Sequence, residues 1–222
     1  MARATTAHIH LDALQHNMAL LRAKAPHAKL MAVVKADGYG HGLERVALAL
    51  RAADAFGVAS ISDARRLRDA GLLQKIVLLS GFDEASDLEQ LRELQLDTVV
   101  HHQSQLDILG SDQGSPLRVW LKMDTGMHRL GFDPDAFKAA FAWLKSRDNV
   151  HADIVCMSHF AASEDLHGQV TQQQMACFSE TVAACPGAHS LSNSAAVLNW
   201  PSAHGQWLRA GGALYGLSLS TD

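Results

Sequence analysis

One lysine of this chain lies where a lysine can act as a nucleophile. Lys35 follows Leu30–Val34, an apolar run typical of a buried parallel strand, and precedes the glycine-rich segment 36–42. A lysine carried there by a strand must either pair its ammonium with an anion or lose its charge. Because a neutral amine is a nucleophile, loss of charge would let Lys35 bond to a carbonyl carbon. A lysine at a frayed strand end, with its ammonium in solvent, is the alternative.

Cations and anion-binding residues also follow other apolar runs of the sequence. Ser194 precedes a short helical pattern that ends at Pro201, so its hydroxyl and the first N–H groups of that helix could bind an anion. Gly211 and Gly212 follow the last apolar run, and plain turns are the alternative for both places. The remaining residues of this kind are Tyr39, Lys122 to Arg129, His159, Asn193 and Arg209.

Eight strand candidates alternate with helical patterns along the chain. After the lysine strand they are Ala55–Ala59, Lys75–Ser80, Asp97–His101, Arg118–Met123, Asp153–Ser158, His189–Ser192 and Trp207–Leu214. An additional short strand is expected at 8–11, ahead of a helix capped by Asp12; further helices are expected after Ser62, from Asp133 to about Lys145, and from Thr171. This alternation predicts a (β/α)8 barrel of the TIM type, in which all the residues above share one rim. A doubly wound sheet is the alternative, but the GxGxxG motif is missing after the first strand.

Composition excludes several classes of function. The 222 residues are 48% hydrophobic and 19% charged, with a net charge of −4, so neither nucleic acid nor an anionic membrane is an expected partner. The sequence has no signal peptide pattern and no run long enough to cross a membrane, which predicts a cytoplasmic protein. Three cysteines without a CxxC pair predict neither disulfides nor a metal site.

A lysine and a phosphate-binding loop on one barrel rim predict pyridoxal 5′-phosphate as the cofactor. Its aldehyde needs an amine, and its phosphate needs such a loop. Burial and neighbouring cations would have to favour the neutral form of Lys35. A permanently charged Arg209 facing the ring nitrogen would keep that nitrogen neutral and weaken the electron sink, which suits simple proton exchange at Cα.

The motifs that contain these residues resemble the alanine racemase family of fold type III pyridoxal-phosphate enzymes. The matching segments, in the family's order, are 32–42 (AVVKADGYGHG), 121–131 (LKMDTGMHRLG), 158–160 (SHF), 192–196 (SNSAA) and 209–216 (RAGGALYG). The first two are the most specific. The resemblance implies interconversion of L- and D-alanine, which supplies D-alanine for cell-wall peptidoglycan.

The resemblance also implies a role for each site residue. Lys35 would be the Schiff-base lysine and the base for the D-substrate, and Arg209 would face the pyridine nitrogen. Arg129 would contact the phenolic oxygen of the cofactor and the substrate carboxylate, supported by Lys122, which is carbamylated in many members. His159 would lie over the ring and support Arg209. The implied phosphate and cofactor contacts are Tyr39, Asn193, Ser194, Gly211, Gly212 and Tyr215.

The chain departs from the family pattern at three places. Asp37-Gly38 replaces Asn-Ala, and the carboxylate could raise the pKa of Lys35; Ala210 replaces proline, which loosens the turn before the phosphate loop. The third departure is the second base. In the family it is a tyrosine from a C-terminal β domain of the other subunit of a homodimer. We expect residues 1–222 to be the barrel domain alone, able to bind cofactor but a poor racemase.

Two other functions remain open at the level of sequence. A non-catalytic pyridoxal-phosphate-binding barrel would also lack a β domain. A metal-dependent amidohydrolase could use His8, His10, Lys122 and His159 on the rim, but the histidine pair precedes a helix, and no aspartate ends the eighth strand.

Overall fold

The computed structural model describes residues 5–218, which fold into a barrel of eight parallel strands. The strands are hydrogen-bonded in the order β7-β6-β5-β4-β3-β2-β1-β8, so the first and last strands are neighbours, and the predicted barrel is confirmed. The strands are β1 Lys29–Val33, β2 Ala55–Val58, β3 Lys75–Leu78, β4 Leu96–Val100, β5 Val119–Lys122, β6 Val155–Met157, β7 Ala188–Ser190 and β8 Trp207–Ala210.

Helices alternate with these strands and surround them. They are α1 Leu11–Lys24, α2 Lys35–Tyr39, α3 Leu43–Ala49, α4 Ile61–Asp69, α5 Ala85–Glu93, α6 Gln103–Ser111, α7 Pro134–Lys145, α8 Val170–Val182 and α9 Ser194–Asn199. Two 3₁₀ helices cover Pro201–Ala203 and Gly212–Tyr215. Among the helices described here, none has the length and apolarity that crossing a membrane requires.

β7 and β8, at the two ends of the hydrogen-bonded order, are linked by backbone and side-chain hydrogen bonds. The backbone N–H of Arg209 donates to the carbonyl of Ser192 at 3.0 Å, and Ser190 Oγ donates to the carbonyl of Trp207 at 3.0 Å. The Arg209 guanidinium also donates to the carbonyl and the hydroxyl of Ser190, at 2.6 and 2.7 Å. Arg209 is therefore fixed by the closure of the barrel itself.

The barrel interior is filled with side chains and is not a pore. Its layer of buried residues comprises Met31, Val33, Ala55, Val77, Val99, Trp120, Met157 and Trp207. The rings of Trp120 and Trp207 lie 5.3 Å apart. Buried Asp97 accepts hydrogen bonds from Lys75 Nζ at 2.7 Å and from Trp120 Nε1 at 2.9 Å, so its charge is paired. A second, larger apolar layer lies between the strands and the helices.

Four predicted details are wrong. Residues 8–10 form no strand, because β1 already pairs with β2 and β8 and offers no free edge. Helix α1 begins at Leu11 with His10 as its N-cap, so Asp12 lies in the first turn. The N-cap of α4 is Ser60, whose Oγ accepts the N–H of Asp63 at 3.1 Å. Finally, β8 ends at Ala210 and not at Leu214, and Gly212–Tyr215 form a 3₁₀ helix.

Helix α2 is a left-handed turn that directly follows β1. Residues 36–39 all have φ between 52° and 62°, and three of them carry a Cβ, each at a cost of about 1–2 kcal/mol. Asp37 stabilises the turn because its Oδ1 accepts the N–H of Leu43 at 3.1 Å and a bond from Arg66 at 2.9 Å. Both contacts lower the pKa of Asp37. The carboxylate of Asp37 is thus engaged with Arg66 and Leu43.

Candidate active site

The carboxyl ends of the strands surround a cleft of about 510 Å³. Ten of the eleven predicted site residues line it: Lys35, Tyr39, Lys122, Arg129, His159, Asn193, Ser194, Arg209, Gly211 and Gly212. The eleventh, Tyr215, stacks on Tyr39 with their ring centroids 4.6 Å apart. Of the described lining side chains, Lys35, Lys122, Arg129 and Arg209 are cationic, whereas Glu164 is the only carboxylate. The cleft therefore favours an anionic ligand.

Lys35 lies at the start of α2, on the wall of the cleft, with an exposed side chain. The expectation that the strand would bury its ammonium is wrong. The buried run that begins in β1 ends at Val34, one residue after the strand, and the left-handed turn then directs the chain out onto the rim. The protein alone leaves the amine accessible to a ligand that enters the cleft.

Arg209, which is buried, and His159, which is half-buried, form a pair on the floor of the cleft. Arg209 is 5% exposed, and its Nη2 donates to the carbonyl of Ser158 at 2.6 Å and to His159 Nδ1 at 3.3 Å. Because a guanidinium has no acceptor, Nδ1 must be the acceptor, and the neutral ring carries its proton on Nε2. Burial and the nearby cations, above all Arg209, lower the pKa of His159 to about 3.

Burial also lowers the pKa of Arg209, to about 10, which still leaves the guanidinium charged at neutral pH. Its Nη1 group donates to the carbonyl and the hydroxyl of Ser190, and its Nη2 group to the carbonyls of Ser158 and Leu191 and to His159. A guanidinium held so firmly presents a fixed positive charge to the cleft.

Lys122 is a buried amine at the end of β5, 7% exposed. Burial first, and then the charges of Arg209 and Arg129, lower its pKa to about 8, although Asp124 acts in the opposite direction. About a tenth of the Lys122 side chains are therefore neutral amines at pH 7, far more than for an ordinary lysine, and a negative charge placed on this amine would be stabilised by the neighbouring guanidinium groups.

The loops after β7 and β8 are joined by Ser194. Its Oγ accepts the backbone N–H of Gly211 at 2.8 Å and that of Ala213 at 3.2 Å, which leaves its own proton free to donate into the cleft. A Cβ on Gly211 would lie 2.5 Å from Tyr39 Oη, so any other residue at this position would displace the hydroxyl or the loop. Two hydroxyl groups and the two loops thus converge at one end of the cleft.

Asn193 and Tyr215 support this end from behind. Asn193 Oδ1 caps α9 by accepting the N–H of Ala196 at 3.0 Å, and it also accepts a bond from Ser163 Oγ at 2.7 Å. Tyr215 donates to the carbonyl of Val33 at 3.4 Å, and burial raises its pKa. The side-chain oxygens of both residues therefore make contacts within the protein.

Arg129 lies in the loop after β5 and is exposed on the rim. Asp124 Oδ1 organises this loop by accepting the N–H groups of residues 126, 127 and 128 at 2.9–3.1 Å. At Gly131, with φ of +134°, a Cβ would lie 2.5 Å from the backbone nitrogen of Asp124. The contacts of Asp124 and the close packing at Gly131 thus determine the conformation of the loop that carries Arg129.

Sequence reasoning missed part of the cleft wall. Ser80 and Leu79 directly follow β3, a position that could have been recognised from the strand boundary. Glu164 comes from the loop after β6, where no motif marks it. His8 and His10, considered above as metal ligands, precede α1 instead of following a barrel strand. Within residues 5–218, no three His, Cys, Asp or Glu side chains are grouped to hold a metal ion.

A family model for the N-terminal domain of alanine racemase matches residues 9–219. The chain belongs to this family. An alanine racemase of Shewanella baltica (strain OS185) is 48% identical over 216 residues, and one of Shewanella sp. (strain ANA-3) is 46% identical. These alignments cover 97% of this chain and 60% of each relative. The chain therefore spans about three fifths of the length of these alanine racemases.

Solved structures agree with this assignment. The biosynthetic alanine racemase from Pseudomonas aeruginosa superposes with a TM-score of 0.91 at 41% identity, over 96% of this chain and 60% of that one. The alanine racemase from Acinetobacter baumannii gives a TM-score of 0.88 at 33% identity, with the same coverage. The barrel of the alanine racemase family is thus the fold of this chain.

Proposed function

We propose that this barrel is the cofactor-binding part of an alanine racemase, which interconverts L- and D-alanine through exchange of the Cα proton. The observation that supports the proposal is the composition of the cleft. Its wall contains an accessible amine, Lys35, together with the two loops that meet at Ser194 and Gly211. The family resemblance also supports our proposals of a cytoplasmic location and of a homodimeric full-length enzyme.

The residues present suit pyridoxal 5′-phosphate. The phosphate would be held by the hydroxyl groups of Ser194 and Tyr39 and by the loop at Gly211. A side chain at position 211 would occupy the space beside the Tyr39 hydroxyl and obstruct the phosphate. Gly212 lines the same end. When bound, the cofactor supplies an electron sink for the carbanion at Cα.

The protein groups would set how strong that sink is. Arg209 would face the ring nitrogen and, because its guanidinium retains its proton at neutral pH, would not protonate it. His159, neutral because of its lowered pKa, would maintain Arg209 in place without adding charge. A moderate sink limits side reactions of the carbanion.

Lys122 and Arg129 would bind the other side of the ligand. We propose that the neutral amine of Lys122 attacks carbon dioxide and loses a proton, giving a carbamate. Its negative charge would then hold Arg129 against the phenolic oxygen of the cofactor and the substrate carboxylate. The lowered pKa of Lys122 supports this step.

Proton transfer at Cα needs one group on each face of the substrate, and Lys35 serves only one. The two tyrosines of the chain are engaged elsewhere, Tyr39 beside Gly211 and Tyr215 on the carbonyl of Val33. We therefore propose that this chain by itself removes the Cα proton of D-alanine but racemises poorly.

Deuterium exchange tests this proposal. The chain is loaded with pyridoxal 5′-phosphate in D₂O, and proton NMR follows the Cα signals of D- and L-alanine separately. We expect exchange of D-alanine with retained configuration and little exchange of L-alanine, both abolished by Lys35→Ala. Rapid racemisation of both enantiomers would contradict the single-base proposal. Cofactor binding with no exchange of either would instead support the non-catalytic barrel.

A further inference from the structure

Two loops of the cleft are linked by a residue that lies outside it. The loop after β5, residues 123–133, presents Arg129, and the loop after β6 begins with Ser158 and His159. Gln174, on α8, does not line the cleft and is buried, with 1% of its surface exposed. A glutamine is rarely buried unless its amide is hydrogen-bonded.

The buried amide of Gln174 bonds to both loops. Its Nε2 donates to Thr125 Oγ1 at 3.1 Å, in the loop after β5, and to the carbonyl of His159 at 3.1 Å, in the loop after β6. Its Oε1 accepts the N–H of Ala161 at 2.9 Å. The two ends of the amide are therefore not interchangeable, because one faces acceptors and the other faces a donor.

These bonds continue into a series of hydrogen bonds in which each donor and acceptor is determined. Ser158 Oγ donates to the carbonyl of Met123 at 2.9 Å, so it must accept at its 2.8 Å contact with Thr125 Oγ1. Thr125 therefore donates to Ser158 and accepts from Gln174. The hydroxyl protons of Ser158 and Thr125 are both used in this series of hydrogen bonds. The residue at position 174 must therefore supply an N–H donor to Thr125 Oγ1.

This series of hydrogen bonds ends at Arg209, the buried guanidinium of the cleft. The carbonyl of Ser158 accepts a bond from Arg209 Nη2 at 2.6 Å, and the same nitrogen donates to His159 Nδ1. We propose that Gln174 is a positioning residue, which sets the loop of Arg129 and the Arg209–His159 pair in register with each other. Its importance for catalysis rests on the function proposed above, whereas the positioning can be measured without cofactor.

Two substitutions of Gln174 separate its shape from its hydrogen bonds. Gln174→Met retains a side chain of similar length and removes all three bonds. Gln174→Glu retains the shape and one oxygen but replaces the donor with an anion facing the His159 carbonyl. Gln173→Met is the matched control, since Gln173 is an exposed neighbour on the same helix.

The first measurement is NMR of the cofactor-free chain with labelled histidine. The His159 ring is assigned among the 13 histidines with His159→Asn. The charged groups that face it are Arg209, Lys122, Arg129 and Lys35. We expect a neutral Nε2-protonated ring that begins to titrate only near its pKa of about 3. In Gln174→Met, looser loops admit water, so the midpoint should rise by about 1–2 units, with no change in the control.

The second measurement is the affinity for pyridoxal 5′-phosphate itself, by equilibrium dialysis. Gln174→Met and Gln174→Glu should weaken binding about tenfold, which is about 1.4 kcal/mol, whereas Gln173→Met should bind as the unmodified chain does. If Gln174→Met fails to fold, Thr125→Val interrupts the same series of hydrogen bonds at its middle link and is measured in its place.

The outcomes distinguish the two proposals. An unmodified chain that does not bind the cofactor contradicts the proposed function, and the histidine spectrum still tests the positioning. A His159 ring whose tautomer and titration are the same in Gln174→Met, Thr125→Val and the control overturns the role of Gln174. A changed ring together with weaker binding supports it.

Discussion

Replacing Ser194 with alanine should weaken the binding of a phosphorylated cofactor selectively. Ser194 Oγ accepts the backbone N–H groups of Gly211 and Ala213 at 2.8 and 3.2 Å. Loss of the oxygen leaves both donors without their acceptor, at a cost of about 1–3 kcal/mol for a buried group. Because the bond to Ala213 is the longer and less buried one, we expect the free energy of unfolding to fall by about 2 kcal/mol.

The same substitution removes the proton that Ser194 would donate to the phosphate. A hydrogen bond to a charged group contributes about 1.5–3 kcal/mol, so the Kd for pyridoxal 5′-phosphate should rise roughly 30-fold. Pyridoxal, which has no phosphate, should bind the variant within about twofold of its affinity for the unmodified chain.

The assay is a comparison of both ligands on three proteins by equilibrium dialysis, with urea unfolding of each protein. Ser202→Ala is the control, because Ser202 is an exposed serine shortly after the same helix. Equal losses for pyridoxal and its phosphate, or no loss for either, would refute the assignment of the phosphate to the loops around Ser194.

Two further predictions concern titratable groups of the cleft. The folded-state pKa of His159 is about 3, below its ordinary value of about 6.5, so the unfolded chain binds the additional proton between these values. Stability should therefore decrease as pH falls from about 6.5 to 3, by roughly 4 kcal/mol from this group, and His159→Asn should make the dependence of unfolding free energy on pH less steep in urea unfolding. An unchanged dependence would contradict the neutral, half-buried ring of His159. Lys122, with a pKa of about 8, should give a carbamate signal in ¹³C NMR under labelled carbon dioxide; the signal should be absent from Lys122→Arg, and its persistence there would place the carbamate elsewhere.

Much of the fold could be predicted because strand-ending motifs and apolar runs are local properties of the sequence. The strand candidates lie within a few residues of β1 to β8, and the rim residues follow them. The strand expected at residues 8–11 does not form, because strand pairing depends on segments distant in the sequence. Both edges of β1 are occupied, by β2 and by β8. Similarly, nothing local ends β8 at Ala210, where the chain turns to meet Ser194.

The site residues were predictable to the extent that they lie next to strand ends. Lys35 was placed correctly on the rim, but its exposure was expected only as the alternative, since the left-handed turn at residues 36–39 is maintained by Arg66 from another helix. Gln174 could not be recognised either, because its contacts with Thr125, His159 and Ala161 join segments that are distant in the sequence.

We propose that Lys35 is the amine that bonds to the cofactor, and the cleft offers a competing amine in Lys122. Borohydride reduction of the chain with pyridoxal 5′-phosphate, followed by peptide mass spectrometry, locates the attachment. We expect the pyridoxyl group on Lys35, with no stable attachment in Lys35→Ala. Attachment to Lys122, or undiminished labelling of Lys35→Ala, would contradict it.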